Sequence, residues 1–114
     1  MSAALSIEAR AARLFGAPAM TFDSPDAAVI WAMPALEPYG EAPHRACCQP
    51  QDIARAIDRL YRQRTIHMAH VQALRLWAIR GRAPCPVDNR ADWKLWDEAM
   101  RALRAPLQLR GIIR

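Results

Sequence analysis

One stretch of the chain, Ile66–Arg80, is apolar on almost every side of a helix, and no other feature constrains the fold as strongly. On a helical wheel at about 100° per residue, its few polar side chains are spread around the circle and form no polar face. A helix of this kind is normally surrounded by others. We therefore predict that it is the central, buried helix of a bundle, capped at its start by Thr65 and ended by Gly81.

Two amphipathic segments flank this helix. Pro50 and Asp52 open a predicted helix that runs to about Gln63, with an apolar stripe on one face and mostly Arg and Asp on the other. Asp88 or Asn89 caps a later helix that runs to about Arg104, and Pro106 is expected to end it. The side chains that we expect in the core are Ile57, Leu60, Leu74, Trp77, Trp93 and Trp96.

The remaining segments give weaker patterns. Ser6–Phe15 has the spacing of a short helix, and Ser24 followed by Pro25 is a favourable helix start. Ala27–Met33, which comes next, is apolar throughout, so periodicity does not decide between a short helix and a strand. Residues 34–50, rich in proline, are expected to form an irregular connector, and the tail Leu107–Arg114 either a small strand or an extended docking segment.

At 114 residues the chain has room for one domain. The predicted fold is all-α: a small orthogonal bundle of four or five helices around the buried helix at about 66–80. Residues 1–50 form a Pro-rich, weakly acidic half, with three Arg against five acidic residues. Residues 51–114 form a basic three-helix half, with thirteen basic residues against six acidic ones.

Catalytic, cofactor and metal signatures are missing from the sequence. His67 and His70 lie three residues apart, but their spacing from Cys47, Cys48 and Cys85 matches no zinc pattern. With only four Gly there is no Gly-rich loop to hold a nucleotide phosphate. We predict a protein that is not an enzyme and has no cofactor or metal.

Composition also suggests where such a chain works. Three cysteines, two of them adjacent, make a poor disulfide framework, so a reducing cytoplasm is expected. No apolar run approaches the about 18 residues of a membrane span, so a membrane partner is not expected. The abundance of Ala and Arg over a single Lys is typical of a GC-rich genome and suggests a bacterium or phage.

The basic residues suggest a polyanionic partner. Arg55, Arg59 and Arg62 recur at helical spacing, so they project from one side of their helix, and Arg64 follows just beyond. Guanidinium groups suit phosphate oxygens. A helix-turn-helix is a weak interpretation, because Ile66–Arg80 lacks the polar face of a recognition helix.

Two functions are compatible with these patterns. The first is a bacterial or phage DNA-associated regulatory protein that contacts the phosphate backbone of double-stranded DNA through Arg55, Arg59, Arg62 and Arg64. The alternative is a protein–protein interaction adaptor that docks a partner through its Pro-rich connector or its C-terminal tail. Binding to a duplex at two salt concentrations separates them, since phosphate contacts weaken steeply as salt rises.

Overall fold

The computed structural model describes residues 21–38, 40 and 47–114, and within them the regular structure is entirely helical. Four helices follow one another: α1 (Pro25–Ala35), α2 (Pro50–Arg62), α3 (Met68–Ile79) and α4 (Arg90–Leu109). Every pair of these helices is in contact, so they form one small bundle. The predicted all-α bundle is confirmed. The predicted helix Ser6–Phe15 lies outside the described residues.

Helix α1 settles the ambiguity of the apolar segment Ala27–Met33, which is helical. Ser24 caps it, with its hydroxyl oxygen accepting from the Ala27 amide at 3.3 Å, and Pro25 occupies the first turn. The helix continues to Ala35 and therefore includes Pro34, so the irregular connector begins later than predicted. Part of that connector, residues 39 and 41–46, lies outside the described residues.

Helix α2 follows its sequence pattern closely. It begins at Pro50, and the Asp52 carboxylate accepts from the Gln49 amide at 2.9 Å, which satisfies one of the free N–H groups at the helix start. Its apolar stripe is buried and its Arg residues face solvent. The buried side chains of this stripe are Ile53, Ala56, Ile57 and Leu60.

Helix α3 packs against all three other helices, but it is not enclosed by them, and the prediction of a central buried helix is wrong in that respect. Met68, Leu76 and Ile79 are 48%, 45% and 53% exposed, and together with Gln72 they lie along one side of the helix. The opposite side, with Leu74 and Trp77, is buried. Three partner helices cannot cover the whole circumference of a fourth, so apolar composition alone did not reveal the open side.

The start of α3 also differs from its prediction. Its N-cap is His67, not Thr65. Thr65 instead belongs to the end of α2, where its amide donates to the Leu60 carbonyl at 2.9 Å.

Helix α4 extends through Pro106 to Leu109, beyond its predicted end at about Arg104. A proline inside a helix costs about 3 kcal/mol through a lost hydrogen bond and a steric clash. Here Leu103 and Leu107, on either side of the proline, are both completely buried, and their packing offsets that cost. The helix-ending effect of proline can be predicted from the sequence, whereas the packing of Leu103 and Leu107 that offsets it is known only from the structure.

Of the six predicted core residues, five are buried and Trp93 is not. Trp93 is 36% exposed because the buried stripe of α4 is centred on Trp96, Leu103 and Leu107. At about 100° per residue, Asp92 lies nearer the centre of that stripe than Trp93 does. Asp92 accordingly accepts a hydrogen bond from the buried indole N–H of Trp77 at 2.9 Å.

The C-terminal tail packs on its own chain. Ile112 and Ile113 are each 3% exposed, and Ile113 forms an isolated parallel bridge with Phe22. The Phe22 amide donates to the Ile112 carbonyl and the Arg114 amide to the Phe22 carbonyl, both at 3.1 Å. The prediction for the tail Leu107–Arg114 is thus wrong for its first three residues, which continue α4. The apolar side chains of Leu107, Ile112 and Ile113 pack inside this chain, whereas Leu109 is 89% exposed.

Candidate nucleic-acid interface

The predicted Arg residues of α2 lie on its solvent-exposed face. Arg55, Arg59 and Arg62 are all exposed, because the opposite face of this amphipathic helix packs into the core. Arg64, just after the helix, is exposed as well. The structure thus places all four predicted residues at the surface, three on one helix face and the fourth beyond its end.

Two of these four residues have acidic neighbours. Arg55 lies 3.7 Å from Asp52, and Arg62 lies 3.0 Å from Asp58. Both are surface pairs, worth about 0–1 kcal/mol, so either guanidinium can exchange its carboxylate for another anion at little cost. Within the described part of the chain, Arg59 and Arg64 form no ion pair.

Arg64 has an unusual backbone conformation, with φ at 62° in the left-handed region. It follows the C-cap of α2, where its amide donates to Tyr61 and the next amide donates to Leu60, the pattern of a Schellman motif. Helices α3 and α4 end in the same motif, but there the left-handed residue is Gly81 or Gly111. Arg64 therefore stands at a position that favours glycine.

The end of α2 and the start of α3 enclose a basic cavity of about 440 Å³ that is open to solvent. Arg62, Arg64 and His67 supply its polar lining. The first amides of α3 lie beside it and carry the positive end of the helix dipole. Arg55 and Arg59 do not line this cavity. The four predicted residues therefore form an exposed ridge along α2, and the basic cavity lies at the C-terminal end of that ridge. The other lining residues are Tyr61, Ile66 and Met68.

A buried histidine, His70, stabilises the start of α3, where His67 and Met68 line the basic cavity. His70 is 6% exposed, and its Nδ1 accepts from the His67 amide at 2.9 Å, which satisfies the first free N–H of α3. Its Nε2 lies 3.2 Å from Glu98 Oε2 on α4. With Nδ1 as the acceptor, the proton of a neutral ring is on Nε2 and is donated to Glu98. His70 therefore connects the start of α3 to α4.

A second, apolar cavity of about 320 Å³ adjoins the basic one. Tyr61 and Met68 line both cavities, so the two surfaces are continuous. The apolar side lies among α1, α2 and α3, and its rim is accessible, with Leu36 37% and Tyr61 40% exposed. The remaining lining residues are Met33, Ala54, Ile57, Asp58 and Val71.

Helix α4 carries a similar arrangement of charges. Arg101 pairs with Asp97 at 2.9 Å in the same i,i+4 spacing as Arg62 with Asp58, and the two Arg side chains are 80% and 78% exposed. Arg104 follows at the surface as Arg59 does on α2, and neither forms an ion pair within the described residues. Residues 101 and 104 thus match residues 62 and 59 in charge, exposure and pairing, but they line neither cavity.

Sequence patterns did not identify the cavities. Tyr61 lies at the edge of the apolar stripe in the predicted helix that runs to about Gln63, and Met68 lies in the helix predicted to be enclosed. The one available signal was the position of Tyr61 at the edge of that stripe. In the part of the chain that the structure describes, no three His, Cys, Asp or Glu residues are grouped so that they could hold a metal. No helix there is long and apolar enough to cross a membrane.

Comparisons with protein families, curated proteins and solved structures find no match to this chain.

Proposed function

We propose that this chain binds the phosphate backbone of double-stranded DNA through Arg55, Arg59, Arg62 and Arg64. In this proposal it is a non-enzymatic, DNA-associated regulatory protein of a bacterium or phage. The supporting observation is the placement of the four residues: all are exposed, and the ridge on α2 leads into a basic concavity lined by Arg62 and Arg64.

The chemistry of this surface favours phosphate over base edges. Guanidinium groups donate in a planar fork that matches phosphate oxygens. The exposed face of α2 carries mainly Arg and Asp, with one amide side chain, Gln51, in its first turn. Asp58 holds Arg62 only in a surface pair. We expect affinity with little sequence preference, because phosphate contacts carry no direct sequence information.

The test is a titration of a fluorescent duplex with the protein at several salt concentrations. Four phosphate contacts predict that log K falls with log salt at a slope of about −3 to −4, since each contact contributes about −0.9. Duplexes of unrelated sequence should give the same slope. Failure to bind any duplex at low salt contradicts the proposal.

A second function, docking of a protein partner, is favoured by a different observation. The apolar cavity among α1, α2 and α3 has an exposed rim that includes Leu36, Tyr61 and Met68. A concave surface lined mainly by apolar side chains is typical of binding sites. Of the two docking segments first considered, the C-terminal tail is packed within the chain. The Pro-rich connector stays a prediction, because residues 39 and 41–46 lie outside those described, and we propose the cavity as a third docking surface for this adaptor function.

A further inference from the structure

We infer that the joined basic and apolar cavities form a docking site for an amphipathic helix of a partner protein, one that carries apolar side chains along one face and carboxylates at one end. This inference rests on the adaptor function proposed above and specifies its partner, and it does not depend on the binding of DNA. It rests on the shape, the lining and the charge of the two cavities.

The first argument is continuity. Tyr61 and Met68 line both cavities, so a ligand that lies over these two side chains contacts both at once. Tyr61 lies in the last turn of α2, and Met68 is the first residue of α3. They are 40% and 48% exposed, respectively. A long ligand with two chemically different ends fits this surface better than a compact one.

The second argument is the shape of the apolar side. Three helices contribute to it, and Met33, Leu36 and Val71 form its floor and rim. A groove between helices is the usual receptor for an amphipathic helix, whose apolar side chains recur at i, i+4 and i+7. The volume of about 320 Å³ lies near the lower limit of ligand pockets and suits a few side chains.

The third argument is charge. The basic side has Arg62, Arg64 and His67. Among the described residues, the single carboxylate that lines either cavity is that of Asp58, which is paired with Arg62. An acidic end on the ligand therefore meets complementary charge, whereas a basic end is repelled. The chain's own predicted helix Ser6–Phe15 has two Arg against one Glu, so its charge has the wrong sign for this site.

The probe for the test is a fluorescent peptide of about 16 residues with Leu at i, i+4 and i+7 and three Glu at its amino end, designed to be helical. Its binding to the intact chain is measured by anisotropy, beside two peptides in which Gln or Lys replaces the Glu residues. We expect the Glu peptide to bind about tenfold or more tightly than the Lys peptide at low salt. Equal binding of the two, or no binding of the Glu peptide, overturns the inference.

Two matched substitutions locate the site. Met68→Glu places a charge between the cavities, and the first turn of α3 tolerates an acidic residue because of the helix dipole. Leu76→Glu makes the same change on the same helix at a similar exposure, 45% against 48%, but outside both cavities. We expect about a tenfold or greater loss of peptide affinity for Met68→Glu and less than about twofold for Leu76→Glu. Similar losses in both variants contradict the site.

A further pair of variants separates this site from the DNA-binding ridge. Arg62→Ala/Arg64→Ala should lower the affinity for the Glu peptide but leave the affinity for the Gln peptide almost unchanged. Arg59→Ala should weaken DNA binding alone, because Arg59 lines neither cavity. Loss of peptide binding in Arg59→Ala would mean diffuse charge attraction and would overturn the docking site, whatever the result with DNA.

Discussion

The indole N–H of Trp96 donates to the carboxylate of Asp26 at 2.7 Å and so links α4 to the first turn of α1. Trp96 is 2% exposed, so this N–H has no access to water. Trp77 makes the same kind of bond with Asp92 at 2.9 Å. Trp77 and Trp96 thus each have their indole N–H satisfied by an acidic residue of another helix, whereas the buried indole N–H of Trp31 has no hydrogen-bond partner among the described residues.

Removal of the Asp26 carboxylate should therefore destabilise the fold. Asp26→Ala leaves a buried donor without a partner, and we expect a loss of about 1–3 kcal/mol in the free energy of unfolding, measured by urea denaturation. Asp26→Asn, which keeps an acceptor oxygen, should lose less. The control is Asp23→Ala, since Asp23 forms only a surface pair with Arg114 at 3.3 Å. A cost for Asp26→Ala no greater than for the control would contradict the role of this bond.

Arg64→Gly should stabilise the fold. Arg64 has a left-handed φ of 62°, which costs a non-glycine residue about 1–2 kcal/mol. Glycine removes that strain but adds flexibility to the unfolded chain, so a net gain of about 0.5–1 kcal/mol is expected in thermal or urea unfolding.

The matched controls for Arg64 are the other two Schellman motifs. Gly81→Ala and Gly111→Ala introduce a side chain at φ values of 77° and 72°, and no other atom lies near the added Cβ. The free energy of unfolding that these variants lose therefore measures the strain of the left-handed backbone alone. We expect each to lose about 1 kcal/mol. If the alanine variants lose stability and Arg64→Gly does not gain it, the predicted strain at Arg64 is contradicted.

Part of this fold could be predicted from the sequence and part could not. The faces of α2 were predictable because its apolar and charged residues alternate with a strong helical period, and Ser24-Pro25 marked the start of α1 correctly. Pro106, Trp93 and the open side of α3 were not predictable, because they depend on which partner helices cover which side. The four Arg residues could be placed at the surface from their spacing, whereas the cavities needed the relative positions of three helices.

His70 should be more important for stability than its partner on α4. His70→Ala removes the acceptor for the His67 amide and leaves space in a buried position, so we expect a loss of about 1–3 kcal/mol in the free energy of unfolding. His70→Gln should recover part of it, because Gln at this position can accept from the N-cap amide. Glu98→Ala, at a carboxylate that is 49% exposed, should lose less than about 1 kcal/mol. A larger loss for Glu98→Ala than for His70→Ala would contradict this order.

The salt dependence of duplex binding, compared between Arg59→Ala/Arg62→Ala and Arg101→Ala/Arg104→Ala, tests the proposed DNA interface most directly. Each double variant removes one Arg that is paired at i,i+4 and one without an ion pair among the described residues, so both lose the same charge from solvent-exposed positions. Unfolding free energies should change by less than about 1 kcal/mol in both. We predict that the log–log salt slope becomes shallower by about two units in the α2 variant and clearly less in the α4 variant. Equal changes in the two variants, or an unchanged slope in Arg59→Ala/Arg62→Ala, would contradict a phosphate-binding face on α2.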